Sequence, residues 1–176
     1  MPFNTYKTNN LTLKNAKKII KETKCDAVKL EGGKKIIKQV KLLIKNKIPV
    51  MGHIGLLPQT AKGFKSKGKT SREKKQLLND ARLLQEAGVF SIVLECVKTN
   101  IAKKITQNLY IPTIGIGSSV YCDGQVLVTD DLLGLNHTKI KFVKRFLNLK
   151  KYINLGIKKF VSEVKYKKYP SKKHSY

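Results

Sequence analysis

The 176 residues are 41% hydrophobic and 27% charged, with 5 prolines and 12 glycines, a balance that excludes collagen-like, low-complexity and wholly disordered chains and fits one folded domain over 1–176. No apolar run approaches the roughly 18 residues needed to cross a bilayer, and the start, MPFNTYKTNN, lacks the apolar stretch of a signal peptide, so a cytoplasmic protein without membrane contact is expected. The formal charge of +26 suggests nucleic acid, but Arg72, Arg82 and Arg145 are the only arginines, and phosphate and base-edge recognition draws on arginine's planar fork, so a solvated lysine-rich surface with no specific nucleic-acid partner is expected.

Leu13, Ala16 and Ile20 form the one-faced stripe of a helix. A short strand from Ala27 to Leu30 follows, then a second helical stripe through Ile36, Val40, Leu43 and Ile44, and a strand from Ile48 to Met51. Thr70 and Glu73 have the T-x-x-E spacing of a capping box ahead of Leu77, Ala81 and Leu84, with Gly88 placed to end that helix. Val89 to Leu94 is a nearly continuous apolar strand, Ile101 and Ile105 mark a helix, and Ile111 to Ile116 and Gln125 to Val128 are further strands. The tail from Ile140 to about Val164 reads as two helices. Helices alternating with strands that are apolar on both faces predict an α/β fold with a parallel sheet, doubly wound or closed as a barrel. Chemistry in such folds sits at the carboxyl ends of the strands.

Polar residues at those ends are the candidates. Lys29 and Glu31 bracket the end of the first strand, and alternation puts both on one face; a structural ion pair is the plain alternative. His53 lies near the end of Pro49-Val50-Met51-Gly52-His53-Ile54-Gly55, where a satisfied core histidine is the usual reading. Glu95 ends the most hydrophobic strand, Ser91-Ile92-Val93-Leu94-Glu95, and a partly desolvated carboxylate there is suited to take a proton from carbon. Cys96 alternates away from that face, which argues against a catalytic thiol. Cys25, Cys96 and Cys122 form neither a C-x-x-C pair nor a disulfide framework, and Ile114-Gly115-Ile116-Gly117-Ser118-Ser119 is not a dinucleotide fingerprint.

Five strings in order, Lys29-Leu30-Glu31-Gly32-Gly33, Gly52 through Gln59 (GHIGLLPQ), Val93-Leu94-Glu95-Cys96-Val97, Ile111 through Gly117 (IPTIGIG) and Asp123 through Val128 (DGQVLV), resemble the ketopantoate hydroxymethyltransferase (3-methyl-2-oxobutanoate hydroxymethyltransferase) family. The resemblance implies a (β/α)8 barrel of the TIM type, here an incomplete barrel of about five parallel strands with outer helices. It also implies transfer of a hydroxymethyl unit from 5,10-methylenetetrahydrofolate to 3-methyl-2-oxobutanoate, giving 2-dehydropantoate for pantothenate biosynthesis, with Mg2+ at the site. By the same resemblance Glu95 is the proton acceptor, Lys29 and His53 bind substrate, Glu31 is a metal ligand, and the full-length family is a homo-oligomer of the decamer type.

The family also carries V-G-D-S and D-x-P-F motifs ahead of the first string, and their aspartates bind the metal. Met1-Pro2-Phe3 matches the end of the second motif. Further metal ligands are therefore expected upstream of Met1, and this chain alone is expected to be a poor catalyst. The 59–69 segment is shorter than the family's, Ser119 replaces a usual glycine and Lys98 a usual proline. Alternatives are a metal-dependent, enolate-forming barrel enzyme of the phosphoenolpyruvate mutase and isocitrate lyase type, and a non-catalytic remnant.

Overall fold

The computed structural model describes residues 1–137 and 139–176. Its elements are α1 (Asn9–Thr23), β1 (Val28–Glu31), α2 (Ile37–Lys45, led in by a 3-10 turn at Lys34–Ile36), β2 (Val50–Gly55), α3 (Ser71–Glu86), β3 (Ser91–Glu95), α4 (Thr99–Asn108), β4 (Thr113–Ile116), β5 (Gly124–Gln125), α5 (Thr129–Leu132) and α6 (Leu149–Lys165). The chain forms two compact units, 1–126 and 127–176.

In the first unit five strands form one parallel sheet in the order β1-β2-β3-β4-β5. A doubly wound sheet reverses its strand order at a switch point, whereas an arc of a (β/α) barrel adds each strand beside the last. The unbroken order therefore defines an incomplete barrel of the TIM type. Val28, Leu30, Val50, Ile54, Ile92 and Leu94 turn their side chains into one buried cluster with Val40, Leu43, Leu77, Leu84, Ile101 and Ile105 from the helices, and removal of this apolar surface from water is the main stabilising term.

Local signals set the boundaries. The Thr70 hydroxyl accepts from Glu73 N–H and the Glu73 carboxylate accepts from Thr70 N–H, so the capping box expected from T-x-x-E is formed at the start of α3. The second strand runs over Val50–Gly55 rather than Ile48 to Met51. The absent side chain at Gly52 leaves room for Leu84 of α3, whose Cδ1 would lie 3.0 Å from an added Cβ, so this glycine serves close helix packing and does not break the strand. The last strand is only Gly124–Gln125. Val126 N–H still donates to Gly115 O, but Val126 and Val128 are about half exposed, and the chain leaves the sheet before Val128.

The second unit differs from the two tail helices expected from Ile140. Residues 139–148 are not helical, and Asn148, whose side chain accepts from Lys151 N–H, starts one helix, Leu149–Lys165. The apolar residues between 140 and 147 are spent on turns instead: Phe146 and Leu147 N–H donate to Leu132 O, and Gly134, at φ +73°, allows Leu147 O to approach where a Cβ would be 2.4 Å away. Among the described residues, no helix is long and apolar enough to cross a membrane.

Candidate active site

Parallel pairing carries the candidates onto one face of the sheet. Lys29 pairs with Met51, Glu31 with His53, and Gly55 with Glu95. Since Met51, His53 and Gly55 alternate along β2, Lys29, Glu31, His53 and Glu95 all lie on the face opposite the helix-packed core. Glu31, Gly55 and Glu95 are the last residues of their strands, the end at which barrel enzymes place their chemistry.

Their surroundings differ. Lys29 is exposed and Glu31 half-buried, whereas His53 is 1% and Glu95 5% exposed. His53 Nε2 lies 3.2 Å from Glu95 Oε2 and 3.0 Å from Leu56 O. A carbonyl oxygen can only accept, so Nε2 carries the hydrogen and donates it to Leu56 O, with Glu95 Oε2 in ion-pair range of the same nitrogen. His53 Nδ1 is buried with no partner among the described residues. Glu31 is held by Gln59, whose Nε2 donates to Oε1 at 2.9 Å and whose backbone N–H donates to Oε2 at 3.3 Å. Glu31 also lines a cavity of about 320 Å³ with Tyr6, Gly32, Leu57 and Gln59.

The loop after β2 ties these groups together. Gly55, at φ +97°, turns the chain so that Leu56 N–H donates to Glu95 O at 2.8 Å. Four residues on, Gln59 reaches back to Glu31. One short segment thus braces the Glu95 backbone and the Glu31 carboxylate. Sequence reasoning included Leu56 and Gln59 in a family string without giving either a role. The available signals were the positive-φ requirement at Gly55 and the single amide at the end of an otherwise apolar run.

On the other side, Lys67 N–H donates to Cys96 O, Lys98 N–H to Lys67 O, and Cys96 N–H to Ile116 O. The backbone just beyond Glu95 is therefore laced to the 62–70 loop and to β4. Cys96 is buried at φ +53°, and burial, then the neighbouring Glu95 carboxylate, push its thiol pKa up. That is the opposite of an activated thiolate.

Among the described residues, no three His, Cys, Asp or Glu side chains form a group able to hold a metal ion. Glu31 is taken up by Gln59, and Glu95 by His53. The residues present do not by themselves fit a magnesium site, because that ion prefers six oxygen ligands in octahedral geometry.

The unbroken parallel arc, with polar side chains gathered at its carboxyl-terminal strand ends, defines the class: a (β/α) barrel protein of the TIM type. A profile described as ketopantoate hydroxymethyltransferase matches residues 1–172. Proteins named 3-methyl-2-oxobutanoate hydroxymethyltransferase are similar along the whole chain: that of Pelagibacter ubique at 62% identity, covering 68% of that protein, one from Clostridium botulinum at 46%, covering 66%, and one from Anaplasma marginale at 46%, covering 65%. The chain belongs to the ketopantoate hydroxymethyltransferase family and spans about two thirds of the length of these relatives. Its membership sets aside the phosphoenolpyruvate mutase type. Among solved structures, a chain of the Amycolatopsis orientalis BexX/CysO complex matches with a TM-score of 0.43 at 15% identity, over 63% of this chain and 45% of that one.

Proposed function

We propose that this chain is the part of a 3-methyl-2-oxobutanoate hydroxymethyltransferase that performs proton abstraction, with Glu95 as the base. The family match over 1–172 carries this reading, and the burial of Glu95 at a strand end supports it. The Glu95 carboxylate takes the proton from C3 of 3-methyl-2-oxobutanoate, and the C–H electron pair becomes the enolate. Water opens the methylene bridge of 5,10-methylenetetrahydrofolate, breaking both C–N bonds to release tetrahydrofolate and leave the one-carbon unit as formaldehyde, and C3 of the enolate adds to the formaldehyde carbon. As the C–C bond forms, the carbonyl electron pair moves to oxygen, and the alkoxide takes a proton, from the protonated Glu95 or from solvent, to give 2-dehydropantoate. A positioned carboxylate base contributes a factor of roughly 10² to 10⁴.

Lys29 offsets charge on the substrate carboxylate and the developing enolate. It stands two residues before Glu31 on the same face, about 6 to 7 Å along the strand. Glu31 is offered as one ligand of the magnesium expected for the family, with the others outside the residues described. No step is routed through that ion. The reaction uses diffusible substrates, and we place it in the cytoplasm.

The test compares product formation by the 176-residue chain alone with that of the chain fused behind the amino-terminal third of the Pelagibacter ubique relative. The fused protein is expected to form 2-dehydropantoate from 3-methyl-2-oxobutanoate and methylenetetrahydrofolate, and the chain alone to form little. Equal rates would contradict the need for the added segment, and no product from either would contradict the function.

A further inference from the structure

Glu95 is met at its backbone by a hydrogen bond and at its carboxylate by a close contact from His53. Leu56 N–H donates to Glu95 O at 2.8 Å, Leu56 O accepts from His53 Nε2 at 3.0 Å, and the same Nε2 reaches Glu95 Oε2 at 3.2 Å. Three residues on two adjacent strands and the turn after β2 therefore fix one another. We propose that His53 is a positioning residue that orients Glu95 for proton abstraction and does not itself bind substrate. This inference rests on the reading of Glu95 as the base.

Accessibility is the first ground. His53 is 1% exposed, its Nε2 is hydrogen-bonded to Leu56 O and lies 3.2 Å from Glu95 Oε2, and its Nδ1 is buried. Neither nitrogen faces a space that a keto acid could fill. The second ground is the forced tautomer. Were the hydrogen on Nδ1 alone, the Nε2 lone pair would face a carbonyl oxygen and a carboxylate oxygen, and all three would repel. With the hydrogen on Nε2, the N–H is fixed by a backbone acceptor and its positive end lies 3.2 Å from the carboxylate, so the imidazole holds Glu95 Oε2 at a set point relative to the β2 turn. The third ground is what remains free. His53 approaches Glu95 Oε2, which leaves Oε1 to receive the proton while the other oxygen is held. Orientation of this kind changes rate more than affinity, because misplacing a reacting atom by about 1 Å costs on the order of 10²-fold.

The test has a spectroscopic and a kinetic arm. In the 15N-labelled 176-residue chain, with its three histidines His53, His137 and His174 distinguished by His137→Gln and His174→Gln variants, the His53 Nε2 signal should be that of a protonated nitrogen. It should move when Glu95→Gln is introduced, while the other two histidines stay in place. An unprotonated Nε2, or a signal indifferent to Glu95→Gln, overturns the clamp. In the fused protein, His53→Leu should lower kcat for C3 exchange roughly 10- to 100-fold with KM for the keto acid unchanged, and His53→Gln, which retains a donor near Nε2, should recover most of the rate. If His53→Leu fails to fold, His53→Asn, whose shorter amide cannot reach Leu56 O, takes its place. A raised KM with kcat intact overturns positioning in favour of substrate binding. Undiminished exchange in Glu95→Gln would contradict the base assignment, while the nitrogen spectrum still decides the clamp.

Discussion

A Cβ placed on Gly55 would lie 2.2 Å from the carbonyl oxygen of Glu95. The two residues are register partners on β2 and β3, and the missing side chain allows the turn to bring Leu56 N–H onto that carbonyl. Glycine at this position is thus required twice, for φ +97° and for the close approach.

Gly55→Ala should therefore cost about 2 kcal/mol or more, from backbone strain and displacement of β3. Gly63→Ala is the matched control: φ is +81°, but nothing lies within 4 Å of the added methyl, so it should cost only about 1 kcal/mol. Urea denaturation of the two variants should give a clearly lower midpoint for Gly55→Ala at unchanged slope, and equal midpoints would refute the contact.

Acid should loosen the start of α3. Glu73 accepts from the N–H groups of Gly68, Lys69 and Thr70, and its pKa is lowered from 4.5, chiefly by the Lys69 hydrogen bond. A depressed folded-state value means that its contribution is present above the unfolded pKa and is lost as the pH falls through the folded one. The wild-type protein should melt above Glu73→Gln at pH 7, and the gap should close as the pH drops below 4.5. A gap independent of pH would contradict the capping carboxylate.

Glu31, satisfied by Gln59 and lacking partner carboxylates among the described residues, should not hold magnesium unaided. Calorimetric titration of the 176-residue chain with MgCl2 should show no saturable uptake. Stoichiometric binding that Glu31→Gln abolishes would show that the chain already contains a site.

The charge of +26 rests on lysines, with three arginines in the chain. Any binding to duplex DNA should be independent of sequence and fall steeply between low and physiological salt. Binding that discriminates sequences at physiological salt would reverse this expectation.

Much of the barrel arc was legible in the chain because its strands are short apolar runs and its longest loop ends in a capping box. Gly52 makes room for Leu84 inside a strand, a packing role that no local pattern shows, and Ile48 to Met51 reads as the strand where Val50–Gly55 forms it. The tail reads as two helices because Ile140, Val143 and Leu147 have helical spacing, yet Asn148 sets the helix start and hydrogen bonds to Leu132 fix the preceding turns. Within the site, alternation along strands placed Lys29, Glu31, His53 and Glu95 on one face. The contact between His53 and Glu95 was not legible, since it runs diagonally across strands and depends on a register that no local pattern encodes.

The most direct measurement is deuterium exchange at C3 of 3-methyl-2-oxobutanoate in D2O, with the fused protein and its Glu95→Gln variant compared at equal concentration and with folding checked by circular dichroism. The account predicts that the variant loses exchange by about 10²-fold or more while remaining folded. A folded Glu95→Gln protein that exchanges at the wild-type rate would contradict it.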